Sequence, residues 1–256
     1  MSVNGDDERG RVVSDVDDGV LVLRLESPRT LNALSSGMLT DLARAIRDAS
    51  DTPEIRGLVV TGTGDRAFSS GDDLRETRAF VERHGIEALS ALFDSVTEAV
   101  LASSIPCVAA INGLAVGGAA ELTLCFDRRI GSTQAAYRFP ESAMGFTISN
   151  ASSVLLPALV GRSEALDLVL SGRDVDAQDC SRIGLLDEVV AANALLLRCR
   201  QLIHTWTPDG NTAHLHLPLL RPALSTVQPA FRAERDAAQR AWQSGSMESQ
   251  MRRFER

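Results

Sequence analysis

Two glutamates in the middle of the chain have residue types and surroundings that suit proton transfer. Glu121 follows the glycine pair Gly117-Gly118, and Glu141 follows Pro140 twenty residues further on. A positioned carboxyl group can act as a general acid or base, and backbone N–H groups exposed by glycines can stabilise a developing oxyanion. The pattern indicates such a site or, alternatively, two glutamates that merely occupy first helical turns, where the helix dipole favours negative charge.

The segment 106–121 is predicted to position Glu121 through a strand, a loop and a helix. An apolar run ends at Asn112-Gly113, and Gly117-Gly118 lets bare backbone approach a ligand before an Ala-rich helix begins. The first turn of that helix has unpaired N–H groups and the positive end of the helix dipole. We therefore expect this loop to hold a negatively charged oxygen close to Glu121.

Strands alternate with helices over the first two-thirds of the chain, which predicts an α/β fold. Residues 11–16 and 20–25 are expected to form a hairpin, Ser35 to cap a helix that ends near Asp48, and residues 57–62 to form a buried strand. The later predicted elements are a strand and loop at 67–74, a helix at 87–103, a strand at 128–131, a helix start at Pro140, two helical pieces at 155–170 broken by Pro157 and Gly161, and a turn and strand at 183–190.

From Ala191 onward the pattern is helical, with breaks at 208–210 and 218–222. We divide the chain into a core of residues 1–190 with the active site and a helical region of residues 191–256 that covers the pocket and joins subunits. This region has apolar faces too large for a small helical unit to bury alone, so neighbouring subunits are expected to cover part of them. The leucines concerned are Leu195, Leu196, Leu197 and Leu202.

Composition argues against several classes of function. The net charge of −8 over 256 residues argues against nucleic-acid binding. No apolar run has membrane-spanning length and residues 1–11 show no signal peptide, so we expect a cytoplasmic protein without a membrane partner. The cysteines lie singly, and His214 and His216 have no third ligand nearby, so no metal site is predicted.

Four motifs occur in an order that is typical of one enzyme family. They are Pro28-Arg29-Thr30-Leu31-Asn32-Ala33, Ala67-Phe68-Ser69-Ser70-Gly71-Asp72-Asp73-Leu74, the segment from Asn112-Gly113 to Glu121, and Phe139-Pro140-Glu141 with Gly145. In this order they resemble the crotonase family, also called the enoyl-CoA hydratase/isomerase family, over nearly the whole chain. The resemblance implies a spiral of β-β-α units with a C-terminal helical region that assembles homotrimers or dimers of trimers.

The resemblance assigns roles to the motif residues. The backbone N–H groups of Asp72 and Gly118 would form an oxyanion hole for a thioester oxygen. The carboxylate of Asp72 is expected to point away from the enolate, which it would otherwise repel, and to reach solvent or a partner. Glu141 would supply a proton to the α-carbon, while Glu121 shares the attacking water and helps to activate it.

The resemblance also implies an acyl-CoA substrate and no cofactor other than the coenzyme A that the substrate carries. The segment 146–153 replaces a glycine-rich stretch of the hydratases by larger and more polar side chains, so the acyl group is expected to differ from a plain fatty chain. The predicted CoA-binding residues are Arg29, Asn32, Ala33, Arg66 and Ser70, and the predicted acyl-pocket residues are Phe146, Ser149 and Asn150.

These motifs predict an enoyl-CoA hydratase-like lyase that adds water to an α,β-unsaturated acyl-CoA thioester. The same fold supports a Δ3,Δ2-enoyl-CoA isomerase, for which Glu141 alone would suffice, and other acyl-CoA reactions. A non-catalytic acyl-CoA-binding subunit is a third interpretation, against which the retained glutamates and glycines speak. The presence of both Glu121 and Glu141 favours hydration over isomerisation.

Overall fold

The computed structural model describes residues 10–247 and 249–250. Predictions that concern residues 1–9 and 251–256 lie outside the described residues. The strands are β1 (Arg11–Asp17), β2 (Val20–Glu26), β3 (Gly57–Gly62), β4 (Ala67–Ser69), β5 (Cys107–Ile111), β6 (Leu114–Val116), β7 (Arg128–Ser132), β8 (Ala136–Arg138), β9 (Val175–Asp176) and β10 (Glu188–Val190). The helices are α1 (Ser36–Ser50), α2 (Leu74–His84), α3 (Ile86–Ala102), α4 (Gly118–Leu122), α5 (Ser152–Val160), α6 (Arg162–Ser171), α7 (Ala177–Ile183), α8 (Leu195–Trp206), α9 (Ala213–Leu220) and α10 (Leu224–Gln243).

The larger sheet has 6 strands in the order β1-β2-β3-β5-β7-β10. Strands β1 and β2 form the predicted antiparallel hairpin, with Asp17 paired to Val20 next to the turn. The other neighbouring strands run parallel. Strand β3 is buried along its whole length, as expected for a parallel strand that is covered on both faces.

Helix α8 folds back onto one face of this sheet within the same chain. Its residues Leu195 and Leu202 pack against Val22 and Val59 and keep only 3% and 8% of their surface exposed. This corrects the expectation that neighbouring subunits must cover these two leucines, because the helical period turns both toward the sheet. Leu196 is half-buried, and Leu197 remains 57% exposed.

Most predicted elements are present, but several local predictions are wrong. Pro157 lies inside α5 instead of separating helices, because a proline removes only one hydrogen bond of the helical ladder. Pro218 lies inside α9, although the predicted break at 218–222 is present where α9 ends at Leu220. Gly161 ends α5 as predicted, with φ 82°. Pro140 leads into a turn at 141–145 and not into a helix. Helix α2 was not predicted, although Asp73 caps it by accepting two backbone N–H groups.

A smaller sheet carries the motif segments that follow its strands. It has 4 strands in the order β4-β6-β8-β9, and β4, β6 and β8 run parallel. Asn112 fixes the start of β4, since its amide donates to the carbonyl of Ala67 at 3.0 Å while its oxygen accepts from the N–H of Gly62 at 3.0 Å. The two sheets are therefore tied together just before the segments that carry the candidate site. In the described part of the chain, no helix is long and apolar enough to cross a membrane.

Candidate active site

The three motif segments with candidate site residues follow three neighbouring parallel strands. Asp72 follows β4, Gly118 and Glu121 follow β6, and Glu141 follows β8. Because these strands run in the same direction, their carboxyl ends lie at one edge of the sheet, where ligand sites of parallel sheets form. The smaller sheet thus brings together residues that are up to 69 positions apart in the sequence, from 72 to 141.

Two backbone N–H groups are available at this edge. The neighbours of Asp72 are held by main-chain hydrogen bonds, since Leu34 donates to Gly71 at 2.7 Å and Asp73 donates to Leu34 at 3.0 Å. Gly118 is the first residue of α4, so its N–H has no partner within the helix. Within the described residues, neither the N–H of Asp72 nor that of Gly118 donates to another main-chain oxygen.

Glycine at position 117 is required by the turn that leads into α4. Its φ of 56° and ψ of −132° lie in a region that is essentially confined to glycine. Its N–H donates to the carbonyl of Arg138 at 2.9 Å, which ties the end of β6 to the end of β8. A Cβ at this position would lie 3.1 Å from Oε1 of Glu141, so the turn also brings the main chain close to that carboxyl group.

Glu121 is almost fully buried, with 1% of its surface exposed, and one of its oxygens is held by three donors. Its Oε2 accepts from the backbone N–H of Ser149 at 2.9 Å, from Ser149 Oγ at 2.6 Å and from Asn150 Nδ2 at 3.3 Å. Its Oε1 is buried and has no hydrogen-bond partner in the described part of the protein. The side chain is therefore fixed through one oxygen and leaves the other unpaired.

Glu141 lies near Glu121 and is 7% exposed. Its Oε2 is likewise buried without a partner among the described residues. Burial and the charge on Glu141 raise the pKa of Glu121 well above its ordinary value, and burial raises the pKa of Glu141 to about 7. Two neighbouring carboxyl groups that resist joint ionisation hold one proton between them near neutral pH.

The carboxyl group of Asp72 does not point away from the site, which corrects the expectation from the sequence. Its Oδ2 lies 3.1 Å from the position that a Cβ on Gly118 would occupy, and the residue lines the same cavity as the two glutamates. Desolvation by burial raises the pKa of Asp72 to about 6. The expectation was wrong because the packing around β4 and α4 leaves this short side chain directed at the cavity.

These groups line a cavity of about 110 Å³. Its apolar wall includes side chains of α3, which the sequence analysis had not assigned to the site, and Ala238 and Met247 from the C-terminal region that was expected to cover the pocket. A signal for the α3 residues was present, since positions 86, 89 and 93 follow helical spacing. The apolar lining residues are Leu74, Ile86, Leu89, Phe93, Val116, Met144, Phe146, Ala238 and Met247.

The residues predicted to line the acyl pocket differ in position. Phe146 and Ser149 line the cavity. Asn150 does not, which corrects its assignment: it is fully buried, and its amide donates to the carbonyl of Gly118 and to Glu121, both at 3.3 Å. Asn150 therefore supports the carboxyl group of Glu121 from behind.

The residues predicted to bind CoA fall into two groups. Arg29 and Arg66 are exposed. Asn32 and Ala33 are buried, and the amide of Asn32 donates to the carbonyls of Thr63 at 2.9 Å and Ala67 at 3.0 Å. Ser70 lines the cavity and donates through Oγ to the carbonyl of Thr30 at 2.6 Å. A CoA contact at Asn32 or Ala33 would therefore involve main-chain atoms.

Other candidate ligands from the sequence lie elsewhere. His214 and His216 are both exposed on α9. Among the described residues, no group of three or more His, Cys, Asp or Glu side chains is arranged to hold a metal ion.

Known proteins resemble this chain in sequence and in structure. The profile of the enoyl-CoA hydratase/isomerase family matches residues 15–255. A crotonyl-CoA hydratase of Syntrophomonas wolfei is 31% identical over 205 residues, which are 79% of this chain and 77% of that protein. A short-chain-enoyl-CoA hydratase of Clostridium acetobutylicum is 29% identical over 197 residues, covering 76% and 74% of the two chains.

The structural matches extend over nearly the whole chain. An enoyl-CoA hydratase of Bacillus halodurans has a TM-score of 0.87 at 21% identity and covers 94% of this chain and 98% of its own. An enoyl-CoA hydratase/isomerase of Pseudoalteromonas atlantica has a TM-score of 0.85 at 25% identity and covers 95% and 96% of the two chains. Both structures share the fold described above.

Proposed function

The chain belongs to the enoyl-CoA hydratase/isomerase family, and from this premise we propose that it adds water to the double bond of an α,β-unsaturated acyl-CoA thioester. The family and the crotonase-like fold that the motifs predicted are both confirmed. One observation carries the proposed reaction. Glu121 and Glu141 each have a buried oxygen without a partner in the described part of the chain, and both residues line one cavity.

The paired glutamates suit a reaction that handles one water molecule. Water held between Oε1 of Glu121 and Oε2 of Glu141 would supply the hydrogen-bond partners that the protein does not provide. Because the pair holds one proton near neutral pH, one carboxylate can accept a proton while the other carboxyl group donates one. An isomerase needs a single carboxylate that shuttles one proton, so the second glutamate favours hydration.

The proposed steps balance in protons and electrons. In the reacting arrangement Glu141 holds the proton that the pair shares, and ionised Glu121 takes a proton from water as the water oxygen bonds to C3 of the substrate. The electron pair of the C2=C3 bond moves toward the thioester, and the N–H groups of Asp72 and Gly118 stabilise the enolate oxygen. Neutral Glu141 then gives its proton to C2, so the pair again holds one proton. Loss of one donor of such an oxyanion hole typically costs about 3–4 kcal/mol.

Paired substitutions test the assignment. Glu121→Gln and Glu141→Gln should each lower turnover of crotonyl-CoA roughly 10²- to 10⁴-fold while acyl-CoA affinity stays nearly unchanged. The assay follows the loss of the conjugated thioester absorbance. Glu87→Gln is the matched control, because Glu87 is an exposed glutamate in the first turn of α3 and should not affect turnover.

Isotopes separate hydration from isomerisation. In oxygen-18 water, a 2-enoyl-CoA should acquire the label at C3. A shifted double bond without added oxygen, together with an active Glu121→Gln variant, would replace the hydratase assignment by that of an isomerase. An acyl-CoA that binds but is neither hydrated nor isomerised would point to a non-catalytic binding subunit.

The proposed assembly is a homotrimer or a dimer of trimers in the cytoplasm. The proposal is supported by a group of exposed leucines in the C-terminal helical region, because clustered apolar side chains on a protein surface commonly mark a contact with another subunit. Light scattering on the purified protein should report a trimer or hexamer, and a monomer at micromolar concentration would contradict the proposal. The leucines are Leu197, Leu215, Leu219 and Leu220, which are 57%, 57%, 78% and 82% exposed.

A further inference from the structure

A third carboxyl group lies beside the proposed oxyanion hole. Oδ2 of Asp72 is 3.1 Å from the position that a Cβ on Gly118 would occupy, and Cε1 of Phe93 is 2.9 Å from the same position. The carboxyl oxygen therefore lies close to the main chain of Gly118, whose N–H is one of the two that a thioester oxygen would need.

The surroundings of Asp72 favour its neutral form. The ionisable groups that face it are all acidic: Asp73 next to it in the chain, and Glu121 and Glu141 in the cavity. Helix α3 contributes Ser90 and Phe93, and α10 contributes Ala238, none of which carries a charge. No Arg or His is present among the described residues that line the cavity. Burial without a cationic partner disfavours the carboxylate.

We infer that Asp72 acts in its neutral form as a third hydrogen-bond donor to the thioester oxygen. This inference rests on the proposed function, since it requires a thioester oxygen that gains negative charge. An ionised Asp72 would repel that charge. A neutral carboxyl group instead directs its O–H to the same oxygen. A carboxylic acid held neutral in a buried site is an effective donor to an enolate oxygen.

The proton balance of this step is simple. Asp72 takes up one proton from solvent when the acyl-CoA binds and keeps it through the reaction, so the proton transfers of Glu121 and Glu141 are unchanged. Ligand affinity should therefore depend on the protonation of Asp72. Butyryl-CoA tests this dependence without turnover, because it has the thioester but no double bond to hydrate. Free CoA is the reference ligand, since its phosphates titrate in the same way.

The expected result is a loss of affinity as the pH rises. With a pKa of about 6, Asp72 is neutral in about half of the molecules near pH 6 and in about one in a hundred near pH 8. If only the neutral form binds, the affinity for butyryl-CoA relative to CoA falls roughly 50-fold over this range. The Asp72→Asn variant keeps a donor that does not titrate, so it should lack this loss. Asp72→Ala should also lack it but should bind about tenfold more weakly than Asp72→Asn near pH 6.

Controls isolate the contribution of Asp72. The pKa values of Glu121 and Glu141 are also raised, but their effect is common to the wild type and the Asp72 variants, so the difference between these proteins is the readout. Asp73→Asn is the matched control. It removes the adjacent charge and leaves an Asn that can still cap α2, so it should keep a loss of affinity with rising pH, with a midpoint shifted slightly downward.

The carbonyl stretch of the bound thioester gives a second readout, which a purely structural role would not change. With ¹³C in the carbonyl of butyryl-CoA, isotope-edited infrared spectra near pH 6 should show a higher frequency in Asp72→Ala than in the wild type or Asp72→Asn. An unchanged frequency in Asp72→Ala, or equal pH dependence in the wild type and Asp72→Asn, would overturn the inference. If these results hold but a 2-enoyl-CoA gains no water, only the proposed reaction fails.

Discussion

Removing the hydroxyl group of Ser149 should shift the pH dependence of turnover. Ser149 Oγ donates to Oε2 of Glu121 at 2.6 Å, and this bond lowers the pKa of Glu121 against the opposing effect of burial. In Ser149→Ala the backbone N–H of residue 149 and the amide of Asn150 still donate to the same oxygen. The variant therefore loses one of three donors and leaves the carboxyl group in place.

The size of the shift follows from the strength of the lost bond. A hydrogen bond to a buried charged group contributes about 1.5–3 kcal/mol, and one pKa unit corresponds to about 1.4 kcal/mol. Two donors remain, so we take the lower half of this energy range, and the pKa of Glu121 should rise further above its ordinary value. Glu121 must be ionised to accept a proton from water. The acidic limb of the pH–kcat profile should therefore move upward by about one unit, with little loss at its alkaline plateau.

The assay is hydration of crotonyl-CoA from about pH 5 to pH 9. Ser152→Ala is the matched control, because the buried Oγ of Ser152 has no hydrogen-bond partner among the described residues and its loss should not move the profile. An equal loss of turnover at every pH, or an unshifted acidic limb, would refute the reasoning. Either result would mean that Ser149 does not control the ionisation of Glu121.

Three further predictions concern stability and ligand binding. Burial raises the pKa of Asp72 from 3.8 to about 6, so the free energy of unfolding falls as the pH rises between these values. Asp72→Asn removes this loss and should raise Tm by about 3–8 °C near pH 7.5. Thermal scans near pH 4 should show no difference between the two proteins. Buried Glu234 accepts two backbone N–H groups at the start of α5, both at 2.8 Å. Glu234→Ala should therefore lower the free energy of unfolding in urea by about 2–4 kcal/mol, and an unchanged value would contradict this role. Arg66→Ala should weaken CoA binding about two- to fivefold and flatten its salt dependence by calorimetry, whereas Arg44→Ala on α1 should do neither.

The sequence predicted the residues of the site better than their geometry. The resemblance identified Glu121, Glu141 and Gly118, and the structure brings them to one cavity. What joins them is the parallel arrangement of β4, β6 and β8, each of which is 3 residues long. Strands of this length carry no periodic signal, so the sequence predicted a strand within 67–74 but not that the three strands pair with one another.

The direction of individual side chains could not be read from the motifs. Asp72 was expected to reach solvent or a partner; it is only half-buried, but its carboxyl group is directed at the cavity, whose described lining contains no cation. Asn150 was assigned to the pocket, but a left-handed backbone with φ 61° places it behind Glu121. Both outcomes depend on packing between segments that are distant in sequence, such as the contact of Gly118 with Phe93 on α3. Local propensity contains no information on such contacts.

The acidic lining of the cavity has a consequence for competition among acyl-CoA esters. An acyl chain that ends in a carboxylate would bring a further negative charge toward Asp72, Glu121 and Glu141, with no cation in the described lining to balance it. Unbalanced like charges at close range cost several kcal/mol, which corresponds to selectivity of several orders of magnitude. We therefore expect an acyl group that ends in a carboxylate to bind more weakly than an uncharged one, because the glutamate pair keeps a negative charge and the described lining offers no cation.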